Sequence, residues 1–76
     1  MHKILIINGP NLNLLGNRET NFYGNTTLDK IKSLCEEQCK KHKIECVFFQ
    51  SNHEGELIEK IHSVDNRFSG IIINPA

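Results

Sequence analysis

Three short apolar runs, at 3–7, 44–49 and 71–73, are separated by two segments whose apolar residues recur at three- and four-residue spacing. That alternation constrains the fold more than any other feature of the chain. Strands joined by helices cannot pair as hairpins, so they pair in parallel through right-handed crossovers. The first run, Lys3-Ile4-Leu5-Ile6-Ile7, is unbroken by polar residues after Lys3, as expected of a strand covered on both faces.

The helical segments have readable ends. In the first, about 28–42, Leu28, Ile31, Leu34, Cys35 and Cys39 share one side. Thr26 is the expected N-cap, with Asp29 completing a weak capping box. Glu36 with Lys40 and Glu37 with Lys41 supply favourable pairs on the wet face. The second helix opens on a cleaner box, Ser51 with Glu54, and runs to about 64 with Leu57, Ile58, Ile61 and Val64 inward. The expected architecture is α/β, a flavodoxin-like parallel sheet in the order 2-1-3 with helices on both faces. The third run is apolar on both alternating faces, as interior strands are, yet that order leaves it at an edge. The expectation is therefore a domain truncated after its third strand, with residues 1–76 the N-terminal portion of a single domain.

Composition excludes several classes. Nine basic and nine acidic side chains cancel, leaving no electrostatic footprint for nucleic acid or an anionic membrane. Three cysteines, Cys35, Cys39 and Cys46, lack paired metal-ligand spacing and read as buried reduced thiols. The N-terminal apolar run is too short for a signal peptide, and no run reaches spanning length, so a soluble cytoplasmic protein is expected.

In this topology the carboxyl ends of the first and third strands flank the switch-point crevice where such folds bind ligands. Asn8-Gly9-Pro10-Asn11 follows the first strand and Asn74-Pro75 ends the third. Between Asn11 and the first helix lies a long polar segment with Arg18 and the only tyrosine, Tyr23. One arginine, one phenol and several amides suit a small oxygen-rich anion. Each has a plainer reading. Tyr23 alone is a surface packing residue, and Arg18 beside Glu19 a solvated ion pair. Asn11 and Asn13 are turn formers. Asn8 shapes the strand end. His2, His42, His53 and His62 have no zinc-like spacing and read as structural, while Glu54 reads as a helix cap.

Taken together, Ile7-Asn8-Gly9-Pro10-Asn11-Leu12-Asn13-Leu14-Leu15-Gly16, Arg18-Glu19, Tyr23-Gly24 and Gln50-Ser51-Asn52-His53-Glu54-Gly55 resemble type II 3-dehydroquinate dehydratase. The pair Ile61-His62 and the end Ile72-Ile73-Asn74-Pro75 add to the resemblance. The resemblance implies a flavodoxin-like enzyme of the shikimate pathway, assembled as a dodecamer of trimers, that needs no metal or organic cofactor. Its substrate would be 3-dehydroquinate, dehydrated by anti elimination through an enolate. Tyr23 would be the base, Asn11 would hold a water against the enolate oxygen, and Asn74 would hydrogen-bond the substrate. A free phenol has a pKa of about 10, so it needs a nearby cation to act as a base, and Arg18 is the candidate. The resemblance also implies that the histidine general acid lies beyond these residues, so that the isolated chain is expected to be inactive. A non-catalytic flavodoxin-like module binding an anion or nucleotide is the competing reading, although the loop lacks the glycine-rich, lysine-bearing phosphate cradle. A structural remnant is the third.

Overall fold

The structure, a computed structural model, describes residues 2–14 and 26–75. In chain order the elements are β1 (His2–Asn8), a single 3-10 turn (Leu12–Leu14), α1 (Leu28–Lys41), β2 (Ile44–Gln50), α2 (Glu54–His62) and β3 (Gly70–Asn74). The strands are parallel and ordered β2-β1-β3, as the two crossovers require. Each strand extends past its apolar run into polar residues or glycine, because the backbone ladder continues after hydrophobicity stops.

Register sorts the side chains between the two faces. Leu5 lies beside Val47 and Ile71, and Ile7 beside Phe49 and Ile73. On this face Lys60 of α2 places Nζ 5.2 Å from the Phe49 ring centroid. Leu5 is fully buried here, and burial of such a side chain stabilises the fold by about 2 kcal/mol. On the opposite face Ile4, Ile6 and Ile72 border a groove of about 320 Å³ with Leu34, Cys35, Gln38 and Cys39 of α1. The helices therefore occupy opposite faces. Among the described residues nothing pairs with the outer side of β3, whose three isoleucines remain exposed.

Helix ends depart from expectation. The α1 cap is Thr27, not Thr26: its backbone is extended and its Oγ1 accepts the Lys30 N–H at 3.2 Å. With adjacent threonines, the turn that begins at Leu28 selects the second. α1 closes at His42, whose N–H donates to the Cys39 carbonyl at 3.1 Å, while the Lys43 N–H donates to the Lys40 carbonyl at 3.1 Å. Lys43, at φ 58°, then turns the chain into β2. Neither Glu36 with Lys40 nor Glu37 with Lys41 closes an ion pair. The pairs formed among the described residues are Lys3 with Glu45 at 3.2 Å and Arg67 with Asp65 at 3.0 Å. Holding two long exposed side chains together gains too little to overcome their freedom in water.

At α2 the expected Ser51–Glu54 box is absent. His53 is the N-cap and makes no side-chain cap bond. Ser51, almost fully buried, instead accepts the His53 N–H at 3.0 Å and donates to Glu56 Oε1 at 2.5 Å. Glu54 is thus the first helical residue and not the cap partner. The helix stops at His62, short of Val64, because the Ser63 hydroxyl donates to the Lys60 carbonyl at 2.6 Å. The inward stripes are incomplete, since Leu34 and Ile58 are exposed. All three cysteines are free; Cys39 is buried and Cys35 and Cys46 are half-buried.

Candidate active site at the strand tips

Three strand ends converge where a parallel sheet places its ligands. Asn8, the last residue of β1, lies in register with Gln50 of β2 and Asn74 of β3. It is almost fully buried, its carbonyl accepting the Ser51 N–H at 3.1 Å and its Nδ2 donating to the Phe49 carbonyl at 3.5 Å. The structural reading of Asn8 is therefore the right one.

The next residue must be glycine. Gly9 N–H donates to the Asn74 carbonyl at 2.9 Å, carrying the β1–β3 ladder beyond the strands. A β-carbon on Gly9 would sit 2.6 Å from the Pro75 carbonyl oxygen, inside contact distance. That approach brings the β1 loop against the end of β3.

Beyond Gly9 the chain is anchored from below and clamped from the side. Leu12 is buried and starts the 3-10 turn, whose Leu14 N–H returns to the Asn11 carbonyl at 3.0 Å. Asn11 itself takes φ 69°, a left-handed conformation that asparagine tolerates better than most residues. Asn11 thus forms the turn that its plainer sequence reading expects, and that turn follows the β1 tip. Asn13 does not share the left-handed backbone.

The side clamp comes from β2. Asn52 Oδ1 accepts the Asn11 N–H at 2.8 Å, and Gln50 Nε2 donates both to Asn52 Oδ1 at 3.0 Å and to the Gly9 carbonyl at 3.2 Å. In the sequence Gln50 and Asn52 stand only within the stretch Gln50-Ser51-Asn52-His53-Glu54-Gly55 that carries the family resemblance, with no site role. Polar residues just past a strand in a switch-point fold were the available signal. Of the expected site residues, Asn11 and Asn74 come together at this end, both exposed, through the Gly9–Asn74 bond. Tyr23 and Arg18 lie outside the described residues.

The carboxamides of Asn11 and Asn74 bring both donor and acceptor groups to this end of the sheet. A cleft of about 490 Å³ also opens between Phe49 and α2, lined by Gly55, Glu56, Glu59, Lys60 and Ser63, but no tip residue borders it. Among the described residues, no cluster of three or more His, Cys, Asp or Glu side chains is arranged to hold a metal. No described helix is long and apolar enough to cross a membrane.

Sheet order defines an α/β protein of flavodoxin-like order, whose strand tips are the candidate site. The family model for dehydroquinase class II matches residues 2–76. The chain belongs to the class II dehydroquinase family. The catabolic 3-dehydroquinase of Talaromyces marneffei is 54% identical over 76 residues, covering all of this chain and 43% of its own length. The 3-dehydroquinate dehydratase of Endomicrobium trichonymphae is 53% identical, covering all of this chain and 53% of its own. The crystal structure of a type II dehydroquinase from Butyrivibrio crossotus matches with a TM-score of 0.94 at 50% identity, over 99% of this chain and 52% of that one. The chain spans about half the length of the curated relatives it matches.

Proposed function

We propose that these residues form the enolate-side half of the substrate pocket of a 3-dehydroquinate dehydratase, a lyase of the shikimate pathway. A phenolate at Tyr23 takes the proton next to the ketone, and the electron pair moves to the carbonyl oxygen. Asn11 holds a water against that oxygen. Asn74 hydrogen-bonds the substrate from the β3 tip. Arg18 keeps the phenol acidic enough to act as base, since a guanidinium a few ångströms away favours the anion. The enolate then expels hydroxide from the neighbouring carbon as water, with a proton from a histidine that the family carries beyond this stretch.

One observation carries this reading. The Gly9–Asn74 bond of 2.9 Å draws Asn11 and Asn74 to one end of the sheet from opposite ends of the sequence. On the same reading, residues 1–76 are the N-terminal portion of one domain. The full-length protein is cytoplasmic, uses no cofactor and assembles as the family's dodecamer of trimers. General acid catalysis commonly contributes about 10²–10⁴-fold, so the 76-residue polypeptide alone has negligible turnover.

The test compares that polypeptide with its fusion to the C-terminal half of the Butyrivibrio crossotus enzyme, followed by ultraviolet absorbance of the conjugated product. The chain alone is expected to be silent and the fusion active. Tyr23→Phe in the fusion should lower kcat by at least about 10²-fold, the lower bound for losing a proton-transfer group. A folded but inactive fusion, or an active Tyr23→Phe, overturns the assignment.

A further inference from the structure

We propose that Asn52 is a positioning residue: its Oδ1 pins the Asn11 backbone N–H in the left-handed turn and so aims the Asn11 carboxamide. The proposal rests on the reading of Asn11 as the group beside the enolate. The connection from β2 to α2 then has a part in the reaction without touching substrate.

The orientation of every amide in the clamp follows from chemistry. A backbone N–H only donates, so the Asn52 atom 2.8 Å from Asn11 N must be Oδ1. An oxygen there requires a donor from Gln50, which fixes Nε2 at 3.0 Å. The same Nε2 also faces the Gly9 carbonyl at 3.2 Å, an acceptor, so the assignment is consistent at all three contacts. Asn52 acts only as acceptor in both of its bonds.

The clamp is needed because Asn11 sits where L-residues are rarely found, at φ 69°. Asn11 is also exposed, so packing does not fix its carboxamide. Without a partner for its N–H, the turn is free to relax and the carboxamide turns with it. The Gln50 bridge ties the clamp to Gly9, the residue that meets β3. One network therefore joins all three tips.

The acceptor-only role yields a sharp test. Amide exchange by NMR on the intact 76-residue chain should show Asn11 N–H protected. Asn52→Ala should accelerate Asn11 exchange about tenfold, the equivalent of one hydrogen bond, while Ser51 N–H, bonded to the Asn8 carbonyl, stays protected and reports an intact fold. Asn52→Asp keeps an acceptor and should keep most of the Asn11 protection. In the active fusion, Asn52→Ala should lower kcat about tenfold with little change in KM, and Asn52→Asp should recover part of it. Unchanged Asn11 exchange in Asn52→Ala, or equal loss in both variants, overturns the proposal. So does an unchanged kcat in Asn52→Ala where Asn11→Ala lowers it. If Asn11→Ala itself leaves kcat intact, the catalytic reading of Asn11 fails, and the exchange data still decide whether Asn52 holds the turn.

Discussion

In the ladder joining β1 to β3, Leu5 lies beside Ile71, Ile6 beside Ile72 and Ile7 beside Ile73. The side chains are nearly the same, and their surroundings are opposite. Leu5 is 0% exposed and Ile7 2%, whereas Ile72 is 54% exposed and Ile73 52%. The difference comes from strand order. β1 has a strand on either side, while among the described residues β3 pairs with β1 alone. An apolar run states that a strand is suited to being covered; its place in the sheet decides whether it is.

The largest expected effect tests that contrast directly. Leu5→Ala removes a fully buried side chain and should cost about 3 kcal/mol, read as a lower urea midpoint. Ile72→Ala, in the same ladder, should cost about 0.5 kcal/mol, because much of its surface is already in water. Equal costs would mean that β3 is covered in solution, by self-association or otherwise, and a concentration-dependent midpoint would identify the first. Next in size is Gly9→Ala, where β1 meets the end of β3. The new β-carbon would press on the Pro75 backbone, which cannot swing aside like a side-chain tip, for a cost of about 2 kcal/mol. Exchange of the Gly9 N–H should rise with it. A neutral substitution would show that the β3 end is free to retreat.

These features were unequally legible in the sequence. Strand positions and sheet order followed from run lengths and helical spacing, because the backbone period dictates which side chains can share a face. The caps were not legible. Thr26 has Asp29 at capping-box spacing and Thr27 has only Lys30, yet Thr27 is the cap. Ser51 had a glutamate at the expected spacing, yet bonds Glu56, further along, with His53 taking the cap position. Asn11 and Asn74 stand out from the sequence because both follow strands, but no local rule pairs Asn11 with Asn52. That hydrogen bond spans residues far apart in the chain and depends on the β1–β2 register. Non-local polar contacts of this kind are what a linear reading loses.

A smaller effect comes from the α1 face of the central strands. Cys46 lies beside Ile4, and its thiol is pushed up to about 11 from an ordinary 9.0 by burial first, then by Cys39, Cys35 and Glu36. The folded state thus holds a proton that the unfolded chain releases. That contribution is complete below about pH 9 and is lost as pH rises through about 11. Urea midpoints should fall across this window more steeply for the natural chain than for Cys46→Ala. Parallel curves would place the thiol in water and weaken the picture of α1 packed against β2.

The smallest effect belongs to the turn that feeds β3. Arg67 Nε lies 3.0 Å from both Asp65 oxygens, and its backbone N–H donates to Oδ1 at 2.9 Å. These hydrogen bonds hold the Asp65 carboxyl below its usual range, the side-chain bond contributing most. A depressed carboxylate adds stability above its unfolded pKa and loses it as pH falls through the lower folded value. Full exposure and salt screening keep that gain slight. An NMR titration should find Asp65 ionising at lower pH than an ordinary aspartate, and Arg67→Gln should move it back. The β1–β3 contrast is sharpened by what happens next along the chain. Ser69 N–H donates to the Lys3 carbonyl at 2.7 Å, the first rung between the two strands. If the turn only guides the edge strand, Arg67→Gln should speed exchange at Ser69 and leave the amides of Leu5 and Ile7 as protected as before. Equal loss in both strands would mean that edge and centre open as one unit, and that the difference in their exposure is not a difference in their stability.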